Sequence, residues 1–245
     1  MRLHATILAG LLAEPRLSAI DVRVGLAVFG FEPPNLTQLA RRADVSWTAA
    51  RDGCHRLAEC GWLAFVTSGR RSRPVPRVPQ PLQHQLAESL TNSYFLTGNK
   101  GEYLMKRYLD LAVLSESFVD NARPDFVINP LSGKPLEYDR FYRQGVAFEF
   151  NGPQHSQVVD RFNDDESLRE TIARDLIKEA KSIRARVILV VITATELDPV
   201  KIDQLIPATL ATRSVDREGP YYLALAGLCA RYRDIVAKAQ RQRAR

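Results

Sequence analysis

Two acidic residues in the second half of the chain are spaced so that a hairpin would bring them face to face. The segments Leu136–Tyr142 and Val146–Asn151 are rich in aromatic and aliphatic residues, and the three-residue loop 143–145 between them ends in glycine. Asp139 and Glu149 lie five residues on either side of the loop centre. We therefore expect their Cβ atoms to lie roughly 4.5–5.5 Å apart across the two strands.

Like charges placed opposite each other repel, and a divalent cation between them removes the repulsion. Strand alternation assigns Ala147, Glu149 and Asn151 to a polar face and the intervening residues to the core. Asp139, Glu149 and the backbone carbonyl of Phe150 form an all-oxygen ligand set that suits Mg²⁺ or Mn²⁺. The alternative is a surface hairpin with two unrelated acidic residues.

The motif that follows the hairpin resembles a known nuclease family. Glu-x-Asn-Gly-Pro-Gln-His, residues 149–155, and Arg-Asp-Leu-Ile-Lys, residues 174–178, are similar to the PD-(D/E)XK nuclease superfamily. The similarity is to the branch that includes very-short-patch repair and phage homing endonucleases, and it extends over about residues 95–195. It implies Mg²⁺-dependent cleavage of DNA by a restriction endonuclease-like αβββαβ core, an α/β fold with a mixed central sheet flanked by helices.

The resemblance also implies roles for individual residues. It places Glu102 at the head of a helix over 102–114, where it assists the metal directly or through water. Asn151 stands where the superfamily usually has lysine, so His155 is the leading candidate for general base, and Gln154 would orient a phosphate or the loop. Lys178 is the other candidate for the missing lysine.

The helix predicted over 168–184 has an apolar stripe of Leu168, Ile172, Leu176, Ala180 and Ile183. Asp175 borders this stripe and Lys178 lies farther round, so Asp175 is expected to reach the sheet more easily. Both residues belong to the motif at 174–178 and are candidate catalytic residues. Arg174 and Lys178 are one turn apart and could contact DNA phosphates. A strand over Asp125–Asn129 and a strand over Arg186–Ile192, buried on both faces, are also predicted.

The first part of the chain predicts a different module. Helices are expected over Ser18–Phe29, Leu36–Arg42 and Trp47–Cys60, with Asn35 and Ser46 as N-caps, and a strand and a basic loop follow. The order resembles the winged helix-turn-helix of bacterial transcription regulators. It implies a mostly α winged-helix domain at residues 1–80, a proline-stiffened linker at 81–94 and the nuclease domain at 95–245 with a basic C-terminal helix.

Double-stranded DNA is the partner that both resemblances imply. No acidic residue lies between Glu59 and Glu88, whereas arginines are clustered there, and the chain carries a net charge of +6. A solvated surface or a protein-binding module is the alternative. The residues expected to contact DNA are Ser46, Trp47, Thr48, Arg51, Arg56, Arg70, Arg71, Arg73, Arg77 and Arg174.

Composition is that of a globular chain, with 45% hydrophobic and 25% charged residues. It predicts a cytoplasmic protein without a membrane partner, and a homodimer or protein partner stays open. The three cysteines lack the spacing of a zinc site or a disulfide framework. Besides a metal-dependent endonuclease, the sequence allows a non-catalytic DNA-binding regulator or a transposition or defence partner with a nuclease-like fold. An RNA nuclease or a protein-binding effector is a third class.

The wing arginines give the first testable prediction. Replacing Arg70, Arg71 and Arg73 with alanine is expected to weaken duplex binding, because arginines that neutralise phosphates release counterions from the DNA. The salt slope should decrease by up to about 0.9 for each phosphate that is no longer neutralised. Sequence preference should be unchanged. A salt titration of binding, monitored by fluorescence anisotropy, measures the slope, and an unchanged slope would contradict an interaction with phosphate.

Overall fold

The computed structural model describes residues 3–31, 35–68, 71–130, 132–152 and 165–243. The chain divides into two compact units. Unit 1 comprises Met1–Asn92, Asp110–Leu114 and Thr212–Ala224, and unit 2 comprises Ser93–Leu109, Ser115–Ala211 and Leu225–Arg245. The predicted boundaries differ from this division, since residues 212–224 belong to unit 1.

The described elements follow the chain in this order: α1 Leu3–Leu12, α2 Ala19–Phe31, α3 Leu36–Ala43, α4 Trp47–Glu59, β1 Leu63–Ser68, β2 Arg71–Pro76, α5 Gln80–Leu96, α6 Lys100–Ala112, β3 Phe118–Ala122, β4 Tyr138–Tyr142, β5 Val146–Asn151, α7 Asp165–Arg184, β6 Ile188–Thr193, α8 Pro199–Leu205 and α9 Pro220–Arg243.

Side-chain caps mark where helices α3 and α4 of unit 1 begin. The Asn35 side chain accepts a hydrogen bond from the Gln38 amide, and the Ser46 hydroxyl accepts one from the Ala49 amide. Asp44, in the turn between the helices, has a left-handed φ of 52°. Both predicted N-caps and all three predicted helices are confirmed.

A two-stranded antiparallel hairpin, β1–β2, follows α4. Its register runs from Leu63 opposite Pro76 to Ser68 opposite Arg71. The strand predicted after α4 is therefore confirmed, and the predicted basic segment continues as its partner strand.

An ion pair between the buried Asp21 and the partly exposed Arg56 joins α2 to α4 in unit 1. The Asp21 side chain, fully buried, accepts bonds of 2.7–2.9 Å from the Arg56 guanidinium and caps α2 by accepting from the Ser18 amide. Burial raises the pKa of Asp21, but the hydrogen bonds of Arg56 and Ser18 outweigh burial and hold it below its ordinary value. Arg56, predicted to contact DNA, thus has a structural partner.

The linker predicted over 81–94 is helical in the structure, where α5 runs from Gln80 to Leu96. The reason lies in the position of the prolines. Pro79 and Pro81 fall at the helix N-terminus, where a missing backbone N–H removes no intrahelical bond.

Unit 2 contains a four-stranded mixed sheet in the order β3-β4-β5-β6. Strands β3, β4 and β5 are antiparallel neighbours, and β6 pairs parallel to β5. Together with α6 and α7 they give the element order αβββαβ, so the α/β class with a mixed sheet is confirmed. A core cluster of Val127, Tyr138, Ala147 and Val187 supports this sheet.

Three local predictions in unit 2 are wrong. The strand before β4 is Phe118–Ala122, and Asp125–Asn129 forms a turn with one isolated bridge at Ile128. Strand β6 is the last strand in the described sheet, and its side chains are not buried on both faces: Ile188 is 44% exposed and Val191 39%. An apolar run cannot distinguish a central strand from one at the end of a sheet.

The third error concerns the apolar stripe of α7. Among its described members, Ile172, Leu176 and Ile183 are 48–69% exposed, whereas Ser182 is buried and bonds the Tyr138 hydroxyl. The sheet thus packs against a face of α7 that contains polar as well as apolar side chains. The Tyr138 hydroxyl of β4 gives Ser182 on that face a hydrogen-bond partner. Among the described helices, none has the length and apolar character to cross a membrane.

Removing the guanidinium from the ion pair tests its contribution to unit 1. Arg56→Ala should lower the free energy of unfolding by about 1–3 kcal/mol, because it leaves the Asp21 carboxylate buried without its charged partner. The loss should be present at pH 7 and disappear as pH falls through the lowered pKa of Asp21, below which the carboxylate is protonated in both variants. Urea unfolding measures this change, and Arg51→Ala, on the exposed side of α4, is the control.

Candidate functional site

A polar cavity of about 480 Å³ in unit 2 brings together residues from six separate elements or their flanks. Its walls come from the start of α6, the ends of β3, β4 and β5, one side of α7 and a tyrosine of α9. Five of the seven residues predicted to be catalytic line it: Glu102, Asp139, Glu149, Asp175 and Lys178. The other two, Gln154 and His155, lie outside the described residues.

The hairpin that carries the two carboxylates has the predicted register. Tyr142 pairs with Val146 and Arg140 with Phe148, and Gly145 adopts the left-handed conformation, with φ of 76°. Continuing this register by one residue sets Asp139 opposite Glu149. At that point the Phe150 amide donates to the Asp139 carboxylate, Oδ2, at 2.7 Å.

The predicted division of β5 into a core face and a polar face is wrong over its first half. Val146, Ala147 and Phe148 are all fully buried, and Ala147 belongs to the core cluster. Val127, Tyr138 and Val187 pack with Ala147 in that cluster, so the face on which Ala147 lies is covered as well. The polar site is therefore confined to the carboxyl end of the strand, where Glu149 itself is only 9% exposed.

A short ion pair in the cavity joins Lys178 to Glu149. The Nζ atom of Lys178 donates to Oε1 of Glu149 at 2.6 Å, and both side chains are largely buried. The ammonium also lies 5.9 Å from the ring centre of Tyr138. Lys178 therefore reaches the sheet directly, which the sequence had expected more of Asp175; Asp175 lines the same cavity.

Burial dominates the electrostatics of the two carboxylates. It raises the pKa of Glu149 to about 7, in spite of the opposing effect of Lys178 and with a further increase from the Asp139 charge. Burial also raises the pKa of Asp139, although the Phe150 amide favours its ionised form. A carboxylate pair held in this way gains from any cation that enters between its members.

Glu102 is held in a hydrogen-bonded network at one wall. Its carboxylate accepts from Lys106 and from Asn99, and the Lys106 ammonium also donates to Asn121 at 2.9 Å. Asn121 in turn donates to Glu137. Glu102 therefore lies in the predicted cavity but with its own cationic partner.

Sequence reasoning missed several residues of the cavity. Lys100, Asn121, Glu137 and Tyr232 contribute to its lining. Tyr232 comes from α9, about 80 residues after the hairpin, and no local pattern connects the two. For Asn121 the residue type was a weak indication of an unusual backbone position, because Asn is one of the few residue types that tolerates the left-handed φ of 54° found there.

Several of the predicted DNA-contact residues of unit 1 have exposed side chains. Trp47 is 49% exposed, Thr48 and Arg51 are exposed, and the Arg51 guanidinium lies 5.7 Å from the Trp47 ring centre. Arg73 and Arg77 are exposed on or after β2. Arg70 and the side chain of Arg71 lie outside the described part of the chain. Arg174 of α7 lines the cavity of unit 2 instead.

The donor set fits a hard divalent cation that keeps much of its water. Mg²⁺ is commonly bound through one or two carboxylates, with water and substrate phosphate completing its shell. Asp139 and Glu149 provide such a pair. Among the described residues, no group of three or more His, Cys, Asp or Glu side chains could hold a metal ion.

Comparisons of this chain with protein-family models, curated proteins and solved structures give no match. Function is therefore inferred from the cavity and its residues.

The raised pKa of Glu149 predicts that this carboxylate destabilises the fold at neutral and alkaline pH. The folded pKa of about 7 exceeds the ordinary 4.5, so the folded state holds the proton more tightly than the unfolded chain between these values. Stability should consequently fall as pH rises from 4.5 through 7. Glu149→Gln removes the titration and keeps an acceptor for Lys178, so it should raise the free energy of unfolding at pH 8 by about 1–3 kcal/mol.

Urea unfolding at pH 5 and pH 8 measures this difference, which should be small at pH 5. Glu137→Gln is the matched control. Burial raises the pKa of Glu137, but hydrogen bonds from Asn121 and Arg123 outweigh it and lower the pKa. That variant should therefore lose stability at pH 8. If Glu149→Gln is no more stable than wild type at pH 8, Glu149 is not a desolvated carboxylate.

Proposed function

We propose that this chain is a metal-dependent endonuclease that hydrolyses DNA phosphodiester bonds and is targeted by a winged-helix module. One observation carries the proposal: Asp139, Glu149 and Lys178 line one cavity, with Lys178 bonded to Glu149 at 2.6 Å. An acid pair with an adjacent lysine is the combination that the PD-(D/E)XK resemblance implies for phosphodiester hydrolysis.

Asp139 and Glu149 would hold Mg²⁺ or Mn²⁺. Such a cation lowers the pKa of bound water and neutralises charge on the scissile phosphate. Glu149 carries its charge most readily above pH 7, so the site is best prepared for a cation at neutral to alkaline pH. The Phe150 amide keeps the Asp139 carboxylate oriented by its hydrogen bond to Oδ2.

Lys178 takes the role of the missing lysine at Asn151. Its ammonium is held beside Glu149 and is therefore preorganised to donate to an oxygen of the scissile phosphate, where negative charge develops. The sequence left this role open between His155 and Lys178, and the bond to Glu149 favours Lys178.

Further cations in the cavity suit the phosphates that flank the scissile bond. Lys100, at the start of α6, and Arg174, one turn before Lys178, both line it. A guanidinium can bond two phosphate oxygens at once, which fixes the backbone as well as attracting it. Glu102 would then assist the cation through water, since Lys106 already partly neutralises its carboxylate.

DNA delivery would fall to unit 1. The exposed start of α4 presents Trp47, Thr48 and Arg51, and the β1–β2 hairpin adds Arg73. In a winged helix these correspond to the helix that enters the major groove and to the wing that contacts the backbone. The Ser46 hydroxyl is occupied as the α4 cap, so we assign it a structural role.

Cleavage of supercoiled plasmid tests the proposal. Wild-type protein should nick or cut in Mg²⁺ or Mn²⁺ and not in EDTA. Asp139→Asn and Glu149→Gln should abolish cleavage, because each removes a charge that holds the cation, and both should keep DNA binding. Binding without cleavage by wild type in either metal would instead support the DNA-binding regulator.

Variants at two lysines of α7 distinguish a catalytic role from a general effect of positive charge on DNA binding. Lys178→Ala should lower turnover at saturating DNA by about 10²–10⁴-fold, as expected when proton transfer or charge stabilisation is removed. Lys181→Ala, one turn's distance along α7 and outside the cavity, should change turnover little. His155→Ala is measured in parallel. If it abolishes cleavage while Lys178→Ala stays active, the general base is His155 and the role of Lys178 is structural.

A further inference from the structure

Gly101 lies in the first turn of α6, buried against the aromatic ring of Phe150. A Cβ atom at this position would lie 2.1 Å from both Cε1 and Cζ of that ring and 2.9 Å from Cδ1. Carbon atoms that are not bonded pack at about 3.5–4.0 Å. Any side chain at position 101 would therefore have to displace the ring.

Backbone conformation does not explain this glycine. Its φ lies outside the left-handed range in which glycine is favoured, and it is inside a helix, where alanine is the better helix former. The space occupied by Phe150 is thus the reason that position 101 lacks a side chain.

The Phe150 ring has a second neighbour, since it meets Tyr232 edge to face with ring centres 5.9 Å apart. Displacement of the ring would consequently disturb contacts on both α6 and α9. The ring is attached to the residue whose backbone amide bonds the Asp139 carboxylate at 2.7 Å. Its chain neighbour Glu149 bonds Lys178.

We propose that Gly101 is a positioning residue: it seats the Phe150 ring and thereby holds the Phe150 amide on the Asp139 carboxylate, next to Glu149. Gly101 acts through Phe150 and contacts no reacting group. Its consequence for metal binding and cleavage rests on the proposed function, whereas the seating of Phe150 does not.

Five proteins test the proposal: wild type, Gly101→Ala, the reference Phe150→Val, the double variant Gly101→Ala/Phe150→Val, and Gly227→Ala as control. Valine lacks the ring atoms that would meet the new methyl group. Gly227 is also a helical glycine of unit 2, and a Cβ there meets nothing within 4 Å. The measurements are the residue-150 amide proton shift by NMR, Mn²⁺ affinity by calorimetry, and thermal unfolding.

In Gly101→Ala the residue-150 amide signal should shift upfield as its bond to Asp139 lengthens. Mn²⁺ affinity should fall about 10–100-fold, the range for losing a group that orients a metal ligand. The double variant should regain Mn²⁺ affinity and its amide shift should be close to that of a Phe150→Val reference. Gly227→Ala should match wild type in amide shift and Mn²⁺ affinity and should unfold at an equal or higher temperature, because alanine is the better helix former. Where Gly101→Ala fails to fold, restored folding in the double variant supports the proposal.

Two results would overturn the proposal: an amide shift and Mn²⁺ affinity in Gly101→Ala equal to those of Gly227→Ala, or a double variant no better than Gly101→Ala. Failure of the proposed function looks different. In that case wild type binds no Mn²⁺ and cuts no DNA, while the amide shift still decides the role of Gly101.

Discussion

The site depends on one electrostatic conflict, the burial of the Glu149 carboxylate at the end of β5. Burial raises its pKa to about 7, and the ammonium of Lys178, 2.6 Å away, offsets only part of that cost. A group held in this state is poorly satisfied by the protein alone. We interpret the conflict as preparation for a cation, because a buried carboxylate without such a purpose would normally be replaced by an apolar residue or a neutral amide.

The neighbouring helices and strands confine the buried charge to the end of β5. Strand β5 lies between β4 and β6 in the described sheet, and its first three residues are fully buried, so the polar site is confined to the end of the strand. Helix α7 brings Lys178 to that end and anchors itself through Ser182 on the Tyr138 hydroxyl. Helix α6 adds Gly101, whose lack of a side chain lets the Phe150 ring pack closely. Each element thus contributes one constraint on the same few atoms.

Unit 1 also buries a carboxylate, Asp21, but there the pKa is lowered instead of raised. Asp21 is fully buried, yet the Arg56 guanidinium and the Ser18 amide satisfy it and lower its pKa. This carboxylate supports the fold at neutral pH, whereas Glu149 opposes it. The contrast separates a structural acidic residue from one suited to bind a ligand, because only the second gains free energy when a cation arrives.

The sequence by itself determined the features that depend on near neighbours in the chain. The hairpin register followed from loop length and Gly145, and the caps Asn35 and Ser46 followed from side chains that can accept from the first-turn amides. The placement of Asp139 and Glu149 on facing strands was predictable for this reason, whereas the αβββαβ order was an implication of the nuclease resemblance and its first strand was placed at the wrong residues. Periodicity failed for α7, since it measures which face is apolar and not which face has a partner.

Only the tertiary structure decided which distant groups meet. Lys178 reaches Glu149 across 29 positions, Arg56 pairs with Asp21 across 35, and Tyr232 enters the cavity from α9. The exposure of β6 likewise depends on its place in the sheet order. These contacts arise from the packing of helices on the sheet and on each other, where the partner is set by three-dimensional direction and distance. Local sequence determines backbone conformation and capping. It does not determine where a side chain from another helix or strand lies.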